Sequence, residues 1–129
     1  PIGPSALPEP EVLTPEPVLT DTQVEFTVHH DAERDLYVQI QSEGFGATDL
    51  AYRTAPALTG PWSGPTVFYR PPESDGPNAF VYAGKGHPEL TGADLAVTYV
   101  ANSFEFVDLF NDPSLYYPRF VRVELGCDG

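Results

Sequence analysis

The chain has few of the residues on which several common classes of protein depend. Its 129 residues include no methionine, one cysteine and one lysine. A lone cysteine, Cys127, excludes a disulfide within the chain and a metal site built from several cysteines. Cys127 is therefore expected to be a free thiol or to pair with a segment outside this sequence. Because the sequence begins with Pro1 and lacks methionine, we expect that a preceding segment has been removed or is not included.

Basic residues and long apolar runs are also scarce. Six basic residues against nineteen acidic ones give a formal net charge of −13, which repels phosphate backbones and anionic membrane surfaces. No apolar run approaches the roughly 20 residues of a membrane helix. We therefore expect no nucleic-acid partner and no insertion into a membrane. One lysine in so acidic a chain is typical of secreted proteins, which suggests an extracellular location.

Proline is concentrated in the first 21 residues, which contain six prolines and show no apolar period. This composition predicts a proline-rich, extended lead segment over residues 1–21. We expect the lead segment to lie over a surface of the β domain predicted for residues 22–129. The alternative is that it serves as a proline-rich ligand for an aromatic groove, although such segments more often act as linkers.

After the lead segment, apolar and polar residues alternate, which predicts β-strands. Val24, Phe26 and Val28 share one face of the first strand, and the short link DAER joins it to DLYVQIQSE in a hairpin. TDLAYRTA and GPTVFYRP supply two more strands. Together these strands form a first blade-like unit over residues 22–72.

A second blade-like unit is predicted over residues 78–126. It contains the strands FVYAGKG, DLAVTYVAN and PRFVRVEL, with helical pattern limited to about one turn near FVDLFND. The whole chain is therefore predicted to be all-β. Two groups of three to four strands, spaced by roughly 50 residues, are more typical of propeller blades than of a single sandwich.

Four stretches in order carry a resemblance to a known family. They are RTAPALTGPWSGPTVFYRPPE, YAGKGHPEL, LAVTYVANS and LYYPRFVRVEL. This set resembles the C-terminal part of a secreted family of five-bladed β-propellers, formerly a domain of unknown function, that includes endo-D-arabinanase glycoside hydrolases. The resemblance covers Val24 to Leu125. It implies a protein that acts on or binds an arabinan-type polysaccharide.

The family's propeller is much longer than this chain, so the resemblance implies that the chain supplies only the last two blades. A propeller blade packs against a neighbour on each side, and an isolated pair leaves apolar faces in water. The remaining blades belong to a separate partner chain, or the sequence is a fragment, or the strands form a compact β-sandwich. We favour the first two. The main catalytic acids then lie on earlier blades, and the chain alone is expected to be inactive. The rival hypothesis is a non-catalytic carbohydrate-binding module or a structural, cell-surface assembly module.

The histidines and the one lysine are the first candidates for a site. They lie on the predicted first strand of each blade-like unit, and in a propeller that strand lines the central channel. His87 stands in GKGHPE, where a neutral imidazole is able to ligate a channel ion or to bond a sugar hydroxyl. The alternative is a structural histidine. His29 and His30 are adjacent and point to opposite faces, so at most one lines the channel, and no two-histidine metal site is predicted. Lys85 is expected to pair with Glu89 or with a carboxylate from the missing blades. No cofactor is predicted beyond such an ion.

Carboxylates are abundant, and glycoside hydrolysis requires two of them about 5 to 9.5 Å apart. The candidates are Glu25, Glu43, Glu89, Asp94, Asp108 and Asp112. Their spacing identifies no catalytic pair, so no catalytic residue is assigned. Glu43 is preferred for substrate binding because QIQSEGFG ends a strand in a glycine-rich turn.

Amide and aromatic side chains complete the predicted site. Asn102 is expected either to bond a sugar or, more commonly, to cap a turn. Trp62, Tyr69 and Tyr82 are candidate platforms on which a sugar ring can stack, because an aromatic face offers apolar area. The structural alternative for Trp62 is that it packs over the Gly-Pro-Trp turn that it helps to form.

Overall fold

A computed structural model describes residues 9, 13–90 and 92–125. The predictions for Cys127 and for most of the first twelve residues lie outside this part of the chain. Within it, the structure contains seven strands in two antiparallel sheets and only short helices. The predicted all-β fold is therefore confirmed.

The first sheet is a meander in which each strand pairs with the next along the chain. Its strands are β1 (Phe26–Asp31), β2 (Leu36–Glu43), β3 (Asp49–Ala55) and β4 (Thr66–Tyr69). The DAER link joins β1 to β2 as a hairpin, with Asp31 opposite Leu36. Asp31 accepts hydrogen bonds from the backbone amides of Glu33 and Arg34, which shapes that turn.

The second sheet has three strands in chain order. They are β5 (Ala79–His87), β6 (Leu95–Ser103) and β7 (Arg119–Val123). A short helix α1 (Phe106–Asn111) and a 3-10 turn (Pro113–Tyr116) join β6 to β7. The predicted helical turn near FVDLFND is thus present, and it lies outside the sheet.

The two sheets bury one face each against the other. The core combines Val38, Ile40 and Leu50 of the first sheet with Val81 and Val97 of the second. We call these facing surfaces the inner faces and the opposite surfaces the outer faces. Because side chains alternate along a strand, the residues between these core positions point to the outer faces.

The glycines of GKGH allow β5 to approach the first sheet closely. A Cβ atom on Gly84 would lie 2.9 Å from the Leu50 side chain and 2.9 Å from the Ser42 backbone nitrogen. The amides of Gly84 and Gly86 donate hydrogen bonds of 3.0 and 2.8 Å to Ser42 Oγ and Thr27 Oγ1. Backbone amides at the edge of β5 therefore find their hydrogen-bond acceptors in side chains of the other sheet, which fixes the relative position of the two sheets.

The connection between the sheets contains a 3-10 turn, Pro72–Asp75, that is anchored to both. Ser74 donates a 2.6 Å hydrogen bond to the Thr48 carbonyl, and Glu73 accepts a 2.9 Å bond from the Tyr99 hydroxyl. Glu73 also pairs with Arg119. Burial and the bond to Glu73 raise the pKa of Tyr99, so this hydroxyl remains a neutral donor. This network is structural.

Of the helices in the described residues, none has the length and apolarity that a membrane crossing requires.

Candidate functional site

One end of the seam between the sheets opens into a cleft of about 210 Å³. Its walls come from the residues before β1, from the turn between β2 and β3, and from the first half of β5. We call it the Tyr82 cleft, after the tyrosine that links its apolar and polar parts. The residues used below are Glu25, Phe45, Phe80, Tyr82 and Ala83, all of which line it.

The local sequence explains how the Tyr82 cleft forms. Gly44 and Gly46 adopt φ angles of +101° and +76°, which favour glycine, and the tight turn holds Phe45 outward with 90% of its surface exposed. On the facing strand, the pairing of β5 with β6 shifts between Tyr82 and Lys85, and Ala83 has a φ angle of +57°. A β-bulge of this kind redirects the neighbouring side chains.

Aromatic rings form one wall of the Tyr82 cleft. The rings of Phe80 and Tyr82 are stacked, with centroids 5.4 Å apart and planes inclined by 23°. Phe104 continues the array, with its centroid 4.5 Å from that of Phe80 and 6.3 Å from that of Phe45. Phe45, Phe80 and Tyr82 line the cleft, and Phe104 contacts both Phe45 and Phe80 from outside it.

The polar groups lie around the Tyr82 hydroxyl. Asn102, Tyr116 and Glu25 all lie close enough to the Tyr82 hydroxyl to influence its pKa. Burial raises the pKa of Tyr82, Asn102 opposes this shift, and Tyr116 and the charge of Glu25 add to it, so the hydroxyl stays protonated at neutral pH. Lys85 Nζ lies 4.0 Å from Glu25 Oε1, and both side chains remain partly exposed. The cleft therefore offers donors and acceptors next to an aromatic wall.

Comparison with known proteins identifies the family. The model of a domain of unknown function, DUF5005, matches residues 11–125 of the chain. The chain belongs to the DUF5005 family. No curated protein and no solved structure matches it.

The DUF5005 fold brings together some of the residues predicted for the site. Lys85 lies beside the Tyr82 cleft through its 4.0 Å contact with Glu25, and Asn102 lies close enough to Tyr82 to influence its pKa. Asn102 also accepts a 2.8 Å hydrogen bond from the Ser103 amide, so it stabilises the end of β6 as well. Glu43 directly precedes the turn that carries Phe45 and accepts a hydrogen bond from Gln41.

His87, His30 and Trp62 lie elsewhere. His87 is bonded through Nδ1 to Glu89, at 2.9 Å, and through Nε2 to the Thr98 hydroxyl, at 2.7 Å. Because His87 holds Glu89, the ion-pair partner of Lys85 is Glu25 instead of Glu89. His30 is exposed on the outer face and bonds to Asp35. Trp62 donates a 3.2 Å hydrogen bond to the Leu58 carbonyl and so packs over its own turn.

His29 lies on the opposite side of β1 from His30, as their adjacency requires. It lines a pocket of about 470 Å³ at the other end of the seam, beside the turn after β1. Burial lowers the pKa of His29, while the charges of Asp31 and Glu89 oppose that shift and His30 adds to it. Across the part of the chain that the structure describes, no three His, Cys, Asp or Glu side chains are grouped to hold a metal ion.

Sequence reasoning missed the aromatic wall, because Phe45, Phe80 and Phe104 belong to three separate segments. The signal that was available is the Gly-Phe-Gly turn, which places a large apolar residue where a turn normally carries a polar one. Such a residue is either covered by a partner or used for binding.

Proposed function

We propose that this DUF5005 chain is a carbohydrate-binding, C-terminal part of a secreted β-propeller of the glycosidase type, and that the Tyr82 cleft holds an arabinose-rich polysaccharide. The observation that carries this proposal is the aromatic wall of Phe45, Phe80 and Tyr82 beside Glu25 and Lys85. The apolar C–H face of a sugar ring packs on an aromatic ring, while its hydroxyls bond to the polar groups at the edge. A cleft with mostly apolar walls and a few convergent polar groups suits a small ring of this kind.

The cleft supports binding better than hydrolysis. Glu25 is the one carboxylate among the described residues that line it. Glycoside hydrolysis requires a second carboxylate about 5 to 9.5 Å away, to serve as acid, base or nucleophile. In the proposed assembly those acids come from other blades, and this chain contributes the wall along which the polymer lies.

The outer face of the second sheet supports the proposal of further blades. Phe120 on β7 and Phe106 and Phe110 on α1 are 67%, 69% and 73% exposed. Exposed aromatic groups of this size mark interaction surfaces. A blade that packs on this face would repeat the sheet-on-sheet contact that the chain already makes between its own inner faces.

A self-contained carbohydrate-binding sandwich is the second candidate, and one observation favours it. The inner faces of the two sheets form a single core in which residues from both sheets are fully buried. A mass measurement under native conditions separates the two candidates. A 14.1 kDa monomer that binds arabinan oligosaccharides would support the sandwich, and an assembly with a second chain would support the split propeller.

The cleft itself is tested by calorimetric titration with arabinan oligosaccharides. We expect Tyr82→Ala to weaken binding by about 10-fold or more, since it removes both a stacking ring and a hydroxyl. Tyr117→Ala is the matched control, because Tyr117 is an exposed tyrosine that does not line the cleft and its loss should leave affinity unchanged. Equal affinity of the wild type and Tyr82→Ala would reject the cleft as the binding site.

A further inference from the structure

Arg53 is an anomaly among the five arginines of the chain. Arg34, Arg70 and Arg119 each form an ion pair with an aspartate or glutamate. Arg53 is the most buried of the five, with 6% of its surface exposed, and no carboxylate of the described residues lies within 4.0 Å of it. Leaving a charge buried and unpaired is costly, and the chain has nineteen acidic residues from which a partner could have come.

The hydrogen bonds of Arg53 are also incomplete. Its NH2 group donates a 3.1 Å bond to the Asp21 carbonyl, but its buried Nε atom has no partner among the described residues. A guanidinium group has five N–H donors in a planar fork that fits a carboxylate. The neighbour across the strand pair, Gln39, is fully buried and has an unpartnered Oε1 atom.

Arg53 faces a small pocket that the lead segment closes. The pocket has a volume of about 170 Å³ and is lined by residues 17–20, Arg53 and Trp62. Asp21 holds the lead segment in place, because its carbonyl accepts bonds from both Arg53 and Gln41. Trp62 reaches the pocket because Ser63 pairs with Thr54, the residue after Arg53, through hydrogen bonds of 2.9 and 3.0 Å.

We propose that this pocket binds the carboxylate of an acidic sugar, a uronic acid residue. The guanidinium group of Arg53 supplies the missing countercharge, and the indole of Trp62 supplies an apolar face for the sugar ring. A volume of about 170 Å³ suits a single sugar residue. This site is separate from the Tyr82 cleft and does not depend on it.

The proposal explains why Trp62 stands beside a buried arginine and why the lead segment is held against a polar face. A neutral sugar would leave the charge of Arg53 unpaired, so the pocket should discriminate by charge. An isolated carboxylate such as acetate would satisfy Arg53 and make no use of Trp62.

The test is a calorimetric or NMR titration of the full chain with glucuronate, glucose and acetate. We expect glucuronate to bind, glucose to fail to bind, and acetate to bind more weakly than glucuronate. Arg53→Met keeps the length of the side chain and removes the charge, and it should weaken glucuronate binding by about 10- to 100-fold. Arg70→Met is the matched control, because Arg70 is an exposed arginine that does not line the pocket.

A second readout separates ligand binding from a structural role. If the charge of Arg53 is held unpaired for a ligand, Arg53→Met should change the midpoint of thermal unfolding little in the absence of sugar, since removal of a buried unpaired charge offsets the lost bond to the Asp21 carbonyl. Failure of glucuronate to bind the wild type would overturn the proposal. So would equal binding of acetate and glucuronate, or a large fall in the unfolding midpoint of Arg53→Met accompanied by unchanged glucuronate affinity.

Discussion

The outer faces of the two sheets differ in chemistry, although both sheets are antiparallel and share one core. The centre of the outer face of the first sheet buries polar groups, with Gln39, Gln41 and Arg53 near Asp21, whereas its edge strands leave Phe26 and Val67 partly exposed. The outer face of the second sheet and the adjoining helix are aromatic and exposed, as Phe120 and Phe110 show. Burial on these faces therefore depends on what covers them and not on the polarity of the strand.

The difference in burial between the two outer faces has a physical explanation. Amide and guanidinium groups can be buried if a covering segment offers carbonyl acceptors, and Asp21 of the lead segment provides one. Aromatic rings require an apolar cover, and Phe120 and Phe110 remain 67% and 73% exposed. The buried polar groups of the first face thus find acceptors within the chain, while the rings of the second face remain exposed.

The largest expected effect is a difference in unfolding free energy between substitutions on the two faces of strand β2. Ile40 is fully buried on the inner face, and Ile40→Ala should lower the free energy of unfolding by about 2–5 kcal/mol through a cavity. Gln39 is equally buried on the outer face, where its unpartnered Oε1 limits its contribution. Gln39→Met should cost less than Ile40→Ala, about 1–3 kcal/mol, because it leaves the buried Gln41 Oε1 without the Gln39 Nε2 donor. Urea denaturation measures both, and equal losses would contradict the contrast between the faces.

The next effect concerns the close approach of the inner faces. Gly84→Ala would place a methyl group 2.9 Å from both Leu50 and the Ser42 backbone, so about 1–3 kcal/mol of unfolding free energy should be lost. Gly64→Ala is the matched control, because no atom lies within 4 Å of its added methyl group, and it should change stability by less than about 0.5 kcal/mol. If both variants unfold at the same urea concentration, the two sheets are not in the contact described.

A pH effect is expected from His29 at the seam. Burial lowers the pKa of His29 in the folded state, so the unfolded chain binds a proton first as the pH falls below 6.5. The free energy of unfolding should therefore decrease from pH 7 toward pH 5. His29→Gln should flatten this dependence in urea denaturation at both pH values.

The pH range of this stability change distinguishes His29 from the neighbouring carboxylates. The pKa values of Asp31 and Glu89 are lowered from 3.8 and 4.5, so their stabilisation is lost only at more acidic pH. His30→Gln serves as the control, because His30 points to the outer face. A pH dependence between 5 and 7 that survives in His29→Gln would assign it to another group.

The smallest effect on stability concerns the open aromatic face. Phe120→Thr should change the free energy of unfolding by no more than about 0.5 kcal/mol, since Phe120 is largely exposed. It should nevertheless reduce association, measured by light scattering at increasing protein concentration. Val67→Thr on β4 is the control, being an exposed apolar strand residue of the first sheet. Equal association of Phe120→Thr and the wild type would show that this face does not serve as a contact.

The strands could be predicted from the sequence because alternation is a local property. All seven strands overlap the stretches predicted as strands, and DAER joins β1 to β2 in the predicted hairpin. Lys85 and Asn102 were also predicted as site residues, and they lie at the Tyr82 cleft. His87, by contrast, lies away from the cleft, and both of its ring nitrogens are hydrogen-bonded within the chain, to Glu89 and Thr98.

The sequence by itself determined the all-β class and the two groups of strands, because strand periodicity and turn residues act over a few neighbouring positions. Only the tertiary structure decided which residues meet. It brought Phe45, Phe80 and Phe104 together, chose Glu25 as the partner of Lys85 and buried Arg53 beneath the lead segment. These contacts join segments far apart in the chain, and they depend on how closely the glycines of β5 let the two sheets approach.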